Sequence, residues 1–280
     1  TLLDLLLSNH SAIVSVGELR RLHEHYNGNF ACTCERVVSR CPFWRAVEAE
    51  LRVQGLSLSD MQTLIDFSPL ALADLLYGLS LPNLHRIGRG LSFIAEAIEI
   101  TENQRLIINA VATATQQHFV VDSSKVPKAA RLAYLLNPGS IRVIFLTRDG
   151  RGVISSRLRG TNASTWRCVL GWMAYTVKAS LLKISLPRSC YQVLKYEDLC
   201  NNPESELRRV CSFLGLPYEP AMAYLDKHNK HNICGSPMRF EREQTEISLD
   251  ERWRSSLTAR QLRTFRLLGG AWLNRRLGYQ

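Results

Sequence analysis

The sequence has no hydrophobic run long enough to cross a bilayer. Apolar stretches such as Leu106 to Val111 fall far short of the roughly 20 residues that a spanning helix needs. Internal repeats and low-complexity segments are also missing. Hydrophobic residues make up 46% and charged residues 21% of the 280 positions, which is typical of a globular chain and excludes a disordered one. We therefore expect one domain over residues 1–280 with a full hydrophobic core.

Basic residues are in excess but do not form a nucleic-acid-binding pattern. The net charge is +10, yet the Lys and Arg residues are scattered and no basic stripe is interleaved with aromatics. A polyanionic small cofactor or an acidic acceptor accounts for the positive charge equally well. We expect no nucleic-acid partner.

Cysteine is too sparse to indicate a disulfide scaffold, with eight residues in the whole chain. Cys32, Cys34 and Cys41 form the only cluster, and His23 or His25 could join them as zinc ligands. The spacing matches no standard zinc pattern. Structural zinc, a local disulfide and reduced thiols all stay open, and no metal ligand is assigned.

The centre of the chain predicts two successive strand–turn–helix units. Phe119–Val121 and Arg142–Thr147 are apolar, β-branched runs of the kind buried in parallel sheets, and Ala129–Leu136 reads as a helix between them. Such a βαβ unit is right-handed, and ligands bind beyond the carboxyl ends of its strands. Lys125 and Arg148 follow the two strands at those ends.

The turn after the second strand indicates a phosphate site. Asp149 is a plausible N-cap, and Gly150 and Gly152 allow a ligand to approach the backbone closely. Arg148, Gly152 and Ser156 share one helix face by their spacing, which suits a bound phosphate. The alternative is that Arg148 pairs with an acidic residue and Ser156 only faces solvent.

The rest of the chain predicts further helices and strands around this centre, with a helical insertion at about 42–117. The predicted helices are Leu2–Leu7, Pro42–Gln54, Ser59–Tyr77 (two short helices), Leu91–Ile100, Glu102–Gln117, Thr165–Leu182, Pro203–Leu214 and Ala259–Leu273, and the other strands are Ile13–Val16 and Tyr191–Leu194.

These segments resemble sulfotransferases that use 3′-phosphoadenosine-5′-phosphosulfate (PAPS). DSSK and RVIFLTRDGRGVISSRL resemble the strand and helix that bind the 3′-phosphate in this family, and KYEDLCNNPESELRRVCSFLGLPYEP resembles a later signature. TLLDLLLSNHSAIVSVGEL resembles the segment directly after the family's phosphate loop, Gly-x-x-Arg-Ser-Gly-Thr-Thr. Thr1 would be the last residue of that loop, and the rest of the loop is expected before it. The resemblance extends to Tyr279 and is nearest to bacterial members, related to the carbohydrate and tyrosylprotein branch.

The resemblance implies an α/β fold of the P-loop type, with three layers and a central parallel sheet. It also implies in-line transfer of the sulfuryl group from PAPS to a hydroxyl. Glu18 would be the base, as in members with a glutamate after glycine, whereas other members use a histidine. Lys125 would stabilise the leaving phosphate. The alternative for Glu18 is a helix cap or an ion pair with Arg20 or Arg21.

The resemblance also assigns the donor-binding residues. Arg148 and Ser156 would hold the 3′-phosphate, and Thr1, with the phosphate loop, would hold the 5′-phosphosulfate. Tyr196 would lie near the nucleotide, or alternatively would pack in the core.

A long polar loop over residues 228–243 suggests a lid. Its Gly235, Ser236 and Arg239 resemble a Gly-Asn-Pro-x-Arg segment that closes over the cofactor, although Ser236 replaces the usual Asn. His228, His231 and Cys234 in and around this loop could instead bind a metal, but the sequence shows no fourth ligand.

The acceptor and the compartment stay open at this stage. The acceptor is a hydroxyl of a carbohydrate, protein tyrosine, lipid or small alcohol, and no metal cofactor is expected. The segment ACTCERVVSRCPFW resembles a Cys-rich insertion of bacterial members and favours a cytoplasmic enzyme, with the Golgi lumen as the alternative if an anchor precedes Thr1. The competing functions are a P-loop phosphotransferase for a small molecule, which would need Mg²⁺, and a non-catalytic nucleotide-binding protein.

Overall fold

Helices and strands alternate along the chain largely as the hydrophobic pattern predicts. The computed structural model describes residues 1–65, 92–226, 230–235 and 246–280. The strands are β1 Ile13–Gly17, β2 Phe119–Asp122, β3 Val143–Thr147 and β4 Tyr191–Lys195. The helices are α1 Leu2–Leu7, α2 Leu22–Asn27, α3 Pro42–Val53, α4 Ser92–Thr115, α5 Pro127–Leu136, α6 Gly150–Gly160, α7 Thr165–Ser185, α8 Tyr196–Asn201, α9 Pro203–Leu214, α10 Trp253–Ser256, α11 Ala259–Leu267 and α12 Gly270–Arg276.

The chain divides into two units, and each contains a pair of parallel strands. The first unit comprises residues 1–141 and 207–247, and the second comprises residues 142–206 and 248–280. In the first unit β1 pairs with β2, and in the second β3 pairs with β4. The predicted elements of the central βαβ segment are therefore present, but each of its strands pairs with a strand from elsewhere in the sequence.

The first unit is organised by the β1–β2 ladder and a third segment. Ile13 lies opposite Phe119, and the register shifts before Gly17, which adopts a left-handed backbone with a φ of +81°. Gly17 also forms a parallel bridge to Ile233. The three apolar residues of β2, Phe119 to Val121, are only partly buried, in contrast to the fully buried strand that the apolar sequence predicts.

The core of this unit lies between two helices of the predicted insertion. Trp44, Val47 and Leu51 recur along one face of α3 and are fully buried, in one cluster with Ile107 and Val111 of α4. Large buried side chains of this kind contribute about 1.5–3 kcal/mol each to stability.

Two predictions in the insertion need correction. A single 24-residue helix, α4, replaces the two helices predicted at 91–100 and 102–117, because nothing in that segment breaks the helical ladder and the Thr101 hydroxyl bonds to the carbonyl of Ala97 at 2.8 Å. Residues 61–65 are not helical, since the Thr63 carbonyl accepts from Gln104 Nε2 at 2.7 Å instead. The remainder of the segment predicted at 59–77 lies outside the described residues from position 66 onward.

The second unit has its core between α6, α7 and the C-terminal helices. Trp172 is buried against Phe265, with ring centroids 5.6 Å apart. The predicted helix Ala259–Leu273 is divided in two at Gly269, whose φ of +89° is incompatible with a continuous right-handed helix. No helix in the described ranges combines the length and apolarity needed for a membrane span.

Substitution of Gly150 tests how α6 packs on α7. A Cβ atom at this position would lie 2.6 Å from two atoms of the Trp172 ring, so we expect Gly150→Ala to reduce the free energy of unfolding by about 1–3 kcal/mol. Urea denaturation followed by tryptophan fluorescence measures the change. Gly160→Ala, at the open end of the same helix with no atom within 4 Å of the new Cβ, should leave stability unchanged or slightly raised. Equal stability of the two variants would contradict this packing.

Candidate active site

The two predicted catalytic residues lie in contact at the ends of β1 and β2. Glu18 follows Gly17 directly, and its side chain is 12% exposed. Lys125, which follows β2, places its Nζ atom 2.6 Å from Glu18 Oε1 and keeps 49% of its side chain exposed. A largely buried carboxylate therefore meets a cation that solvent and ligands can reach.

Main-chain hydrogen bonds hold the two strand ends together. The Gly17 carbonyl accepts from the Ser123 main-chain N–H at 2.7 Å and from the Ser123 hydroxyl at 3.0 Å. Lys125 has a φ of +59°, a left-handed conformation that is costly for a residue with a side chain. Such conformations persist where the surrounding structure imposes them, and they are frequent at functional sites.

Two further side chains position the segment after Glu18, and the sequence analysis did not assign either a role. Asp122 Oδ1 accepts from the Leu19 main-chain N–H at 3.1 Å, and Ser124 Oγ accepts from the Arg20 main-chain N–H at 3.1 Å. Asp122 also accepts from the Ser124 main-chain N–H at 2.9 Å. In the sequence, the feature that could have indicated these contacts is the run of small polar residues from Asp122 to Ser124 at the end of β2.

The alternative partners of Glu18 are weaker in this geometry. Arg20 Nε lies 3.9 Å from Glu18 Oε2, and Arg21 instead pairs with Glu24 at 2.6 Å. Glu18 does occupy the N-cap position of a 3-10 turn over Leu19–Arg21, but its side chain makes no capping bond there. Lys125 is therefore its principal charged partner among the described residues.

Thr1 and the predicted lid are described only in part. The Thr1 carbonyl accepts from the Leu5 main-chain N–H at 3.0 Å at the start of α1. Gly235 has a φ of +104°, which suits the close backbone approach expected of it. Ser236 and Arg239 lie outside the described residues. The donor-binding roles of all four residues stay predictions.

In the second unit, Arg148 is paired with an acidic residue. Its Nη2 atom donates to the main-chain carbonyl of Asp250 at 2.6 Å and lies 3.2 Å from the Asp250 carboxylate. The guanidinium carbon lies 4.4 Å from the centre of the Tyr196 ring. A Cβ atom at Gly152 would lie 2.9 Å from Arg148 Nε, so this glycine leaves room for the arginine side chain.

Tyr196 contributes its ring and its hydroxyl to the same cluster. The hydroxyl accepts from the Asp250 main-chain N–H at 3.2 Å. Burial raises the pKa of Tyr196 to about 12, so the phenol stays protonated at neutral pH. Tyr196 therefore packs its ring against Arg148, and a position near the nucleotide stays a prediction.

Asp250 is a central member of this site that the sequence analysis missed. Its carboxylate lies 2.8 Å from Arg252 Nε and 3.7 Å from Arg159 Nη2, in addition to its contact with Arg148. The hydrogen bond from Arg252, followed by that from Arg148, holds the pKa of Asp250 below its usual range. Three guanidinium groups therefore surround one carboxylate, and no short sequence motif predicts this arrangement.

At the start of α6 the predicted N-cap is present, whereas Gly150 has a different role from the predicted one. The Asp149 carboxylate accepts from the Arg151 main-chain N–H at 2.8 Å, as expected of an N-cap. Gly150 faces the Trp172 ring rather than open space, so its lack of a side chain serves packing. Ser156 is exposed on α6, and its contact with a phosphate stays a prediction.

A second group of ligating side chains lies in the first unit. The Sγ atoms of Cys32, Cys34 and Cys41 and a ring nitrogen of His231 all lie within 4.8 Å of one another, and we refer to these four residues as the Cys-His cluster. Cys41 Sγ lies 3.2 Å from His231 Nδ1 and 3.5 Å from Cys34 Sγ. The hydrogen bond from the Cys32 thiol, with a further contribution from His231, lowers the pKa of Cys41 below its usual value.

The histidine of the Cys-His cluster is neither of the two that the sequence placed beside these cysteines, but His231, which the sequence suggested as a metal ligand together with His228 and Cys234. His23 contacts Asn27 and Gln62 through its Nε2 atom, and His25 packs its ring on Phe30 at a centroid distance of 4.7 Å. His231 comes from the distant loop segment instead. Sequence proximity suggested His23 and His25, whereas the tertiary fold brings in a residue 190 positions from Cys41.

Two solved structures share this fold. The sulfotransferase domain from the Synechococcus PCC 7002 olefin synthase aligns with 100% of this chain and 90% of its own, with a TM-score of 0.53 and 21% identity. The sulfotransferase domain from the curacin biosynthetic pathway aligns with 100% of this chain and 93% of its own, with a TM-score of 0.51 and 16% identity. Both likenesses show the fold, which is the α/β sulfotransferase fold of the P-loop type.

A family model gives the membership. The model described as the sulfotransferase family matches residues 1–220, and the chain therefore belongs to the sulfotransferase family. The resemblance read from the sequence is confirmed at this level, as is the α/β fold class.

Named relatives match part of the chain. Carbohydrate sulfotransferase 1 of Mus musculus is 24% identical over 180 residues, which is 55% of this chain and 43% of that protein. The nodulation protein NoeE of Sinorhizobium fredii is 28% identical over 169 residues, 55% of this chain and 40% of that protein. The alignments thus span less than half the length of these relatives.

The arginine pairing of Asp250 predicts a pH dependence of stability. Because the pKa of Asp250 is lower in the folded protein than the ~3.9 of an unfolded Asp, its ion pairs stabilise the fold at higher pH and stop doing so as pH falls through the lowered pKa. We expect the stability difference between wild type and Asp250→Asn to be constant above about pH 5 and to shrink between about pH 4 and pH 2. Urea denaturation at each pH measures it.

Asp198→Asn is the matched control, because it removes an exposed carboxylate from α8 in the same unit. A difference between wild type and Asp250→Asn that stayed constant down to about pH 2 would contradict the proposed pairing.

Proposed function

We propose that this protein transfers the sulfuryl group of PAPS to a hydroxyl group of its acceptor. Membership of the sulfotransferase family supports the reaction class. The observation that carries the assignment to residues is the 2.6 Å contact between Glu18 and Lys125 at the carboxyl ends of two paired parallel strands. Ligands bind at that end of the strands in open α/β sheets.

The reaction is an in-line displacement at sulfur. The acceptor oxygen forms a bond to sulfur while the bond from sulfur to the 5′-phosphate oxygen breaks, and adenosine 3′,5′-bisphosphate leaves with the electron pair. Glu18 accepts the proton of the acceptor hydroxyl, and Lys125 stabilises the charge that develops on the leaving phosphate. Positioning and charge stabilisation dominate such transfers, as they do in phosphoryl transfer.

The contact between base and cation suggests how donor binding prepares the site. Lys125 is half exposed, so its ammonium can turn from Glu18 towards an incoming phosphosulfate. Glu18 is held by main-chain bonds on both sides, because its own N–H donates to the Ile233 carbonyl at 3.1 Å and the next N–H donates to Asp122. Donor binding would then free the carboxylate for the acceptor proton without moving it. These residues need no metal ion to perform the chemistry.

The donor's 3′-phosphate is assigned to Arg148 and Ser156, with Tyr196 packed below the arginine. Arg148 already holds an anion in this structure, the Asp250 carboxylate. The 3′-phosphate would replace that carboxylate, and its greater charge and additional acceptor oxygens favour the exchange. Thr1 is assigned to the 5′-phosphosulfate, and Gly235, Ser236 and Arg239 are assigned to closure over the donor.

We propose a carbohydrate hydroxyl as the acceptor. The support is the likeness to carbohydrate sulfotransferase 1, whose name states its class of acceptor. Protein tyrosine, lipid and small-alcohol hydroxyls are the competing classes. A cytoplasmic location remains our expectation for the protein.

Glu18→Gln tests the base. Because the amide cannot accept the hydroxyl proton, we expect turnover to fall by roughly 10²–10⁴, while affinity for adenosine 3′,5′-bisphosphate is unchanged. The assay follows transfer of labelled sulfate from PAPS in the intact protein to oligosaccharides, with a tyrosine peptide, a lipid alcohol and a small alcohol in parallel. Glu24→Gln, an exposed glutamate paired with Arg21, is the control and should keep full turnover.

Unchanged turnover in Glu18→Gln would remove Glu18 as the base. Transfer to the tyrosine peptide or an alcohol but to no oligosaccharide would overturn the acceptor class and leave the reaction class intact.

Arg148→Ala tests the 3′-phosphate site by comparing two nucleotides. A charge-assisted hydrogen bond contributes about 1.5–3 kcal/mol, so we expect affinity for adenosine 3′,5′-bisphosphate to fall roughly 10- to 100-fold. Affinity for adenosine 5′-phosphosulfate, which has no 3′-phosphate, should not change. Isothermal titration calorimetry measures both, and thermal unfolding confirms that the variant is folded.

Arg167→Ala, which removes an exposed arginine of α7, is the charge-matched control and should bind both nucleotides as wild type does. An equal loss of affinity for both nucleotides in Arg148→Ala would show that the arginine does not read the 3′-phosphate.

A further inference from the structure

The Cys-His cluster has the composition and the geometry of a metal site. We propose that Cys32, Cys34, Cys41 and His231 bind one Zn²⁺ ion in a tetrahedral, structural site. The proposal is independent of the sulfuryl-transfer function, because it depends only on these four side chains and their surroundings. Three soft sulfur donors and one imidazole nitrogen form one of the standard ligand sets of structural zinc.

The distances between donor atoms fit a tetrahedron around zinc. Zn–S bonds of ~2.3 Å and a Zn–N bond of ~2.0 Å imply sulfur–sulfur edges of roughly 3.8 Å and sulfur–nitrogen edges of roughly 3.5 Å. The corresponding edges in the structure are 3.5 Å from Cys34 to Cys41 and 3.2 Å from Cys41 to His231, and all donor atoms lie within 4.8 Å of one another. Small side-chain adjustments would complete the coordination.

The local fold brings the first two cysteines together. A tight turn closes between the Cys32 N–H and the Arg36 carbonyl at 2.8 Å, with Glu35 in a left-handed conformation at a φ of +69°. An antiparallel bridge between Ala31 and Val37 closes the base of this turn. The turn thus supplies two ligands from a short segment, as in many zinc sites.

His231 is fixed in place by contacts that do not involve the ligand atoms. Its ring stacks on Phe43, with centroids 5.1 Å apart and an interplanar angle of 5°, and its carbonyl accepts from Trp44 Nε1 at 3.2 Å. The next residue, Asn232, donates its main-chain N–H to Thr33 Oγ1 at 2.9 Å. Such supporting contacts around a ligand are characteristic of metal sites, because they orient the imidazole.

The burial of the four ligands favours a structural zinc site from which the metal can still exchange with solvent. Cys32 and Cys41 are fully buried, whereas Cys34 and His231 are partly exposed. Four protein ligands leave no open position for a substrate, which distinguishes a structural zinc from a catalytic one. On binding, Zn²⁺ replaces the protons of the cysteine thiols, and these protons pass to solvent while the sulfur electron pairs form the bonds to zinc.

A disulfide explains the cluster less well. The sulfurs of Cys34 and Cys41 are 3.5 Å apart, compared with ~2.05 Å in a disulfide. A disulfide between any two of the cysteines would also leave the third cysteine and His231 without a role. The zinc site uses all four residues.

The proposed zinc would fix the segment that borders Glu18. Ile233, two residues after His231, donates its N–H to the Val16 carbonyl at 3.1 Å and accepts from the Glu18 N–H at 3.1 Å. A metal bound at His231 therefore restrains the main chain against which the candidate base rests. This consequence rests on the proposed role of Glu18, whereas the metal site itself does not.

Metal analysis of the intact protein tests the site directly. After expression with added zinc and purification under reducing conditions, we expect one equivalent of zinc by mass spectrometry of the metal content. Cys34→Ser should lose the zinc. Cys234→Ser, which removes a partly exposed cysteine of the same segment that is outside the cluster, should retain it. His231→Cys, which completes a four-cysteine set, should also retain it, whereas His231→Ala should not.

Titration of the metal-free protein gives a second readout that does not depend on the variants. Addition of Co²⁺ to the reduced wild-type protein should produce the visible absorption of tetrahedral cobalt bound to thiolates, and zinc should displace it. Bound zinc should protect three thiols from a thiol reagent until a chelator is added.

Three outcomes would overturn the proposed zinc site. Absence of zinc after purification, together with no cobalt spectrum on titration, would overturn the proposal. A Cys34–Cys41 disulfide in the purified protein that persisted when zinc was present would also overturn it, as would zinc that stayed bound in both Cys34→Ser and His231→Ala.

The link to Glu18 has its own readout. Removal of zinc should lower turnover and leave affinity for adenosine 3′,5′-bisphosphate unchanged. Zinc present but without effect on turnover would contradict the link and keep the metal site. An inactive but zinc-loaded wild-type protein would instead count against the sulfuryl-transfer function alone.

Discussion

The Gly17 carbonyl is the point on which the first unit's site depends. The carbonyl accepts two hydrogen bonds from Ser123, and Gly17 also forms a parallel bridge to Ile233 of the loop segment. Three parts of the chain that are far apart in sequence therefore meet at one peptide group. Its left-handed glycine conformation ends β1 and turns the next residue, Glu18, towards Lys125. A side chain at Gly17 would disfavour the turn and with it the contact between Glu18 and Lys125.

Arg148 shows a different constraint, because a half-buried guanidinium must have an anionic partner. In this structure Asp250 is that partner, and Tyr196 and Gly152 shape the space around it. If Arg148 binds the 3′-phosphate as proposed, the Asp250 carboxylate occupies the place of that phosphate in this structure. The affinity for a 3′-phosphate would depend on the difference between the interaction of Arg148 with the phosphate and its interaction with Asp250. An arginine that pairs strongly with a carboxylate therefore need not bind the phosphate tightly.

The sequence predicted elements and single residues better than the partners of those residues. Hydrophobic periodicity located β3 and α9 within a residue, because a buried face repeats along the chain. Lys125 and Glu18 could be placed together, since the carboxyl ends of parallel strands share an edge. Asp250 could not be found, because it meets Arg148 across 102 positions and no local pattern encodes that pairing.

The Cys-His cluster also depends on residues that are distant in sequence, and this separation has an energetic consequence. Cys41 and His231 are separated by 190 positions, so bringing them together in the unfolded chain has a substantial entropic cost. In the folded chain that cost is already met by neighbouring contacts, above all by Phe43 and Trp44, which hold His231 from the first turn of α3. A metal that binds only this arrangement stabilises the folded state by its binding free energy. Zinc would therefore couple the stability of the helical insertion to the position of the main chain beside Glu18, which gives the insertion a structural role at the candidate active site in addition to any contact with the acceptor.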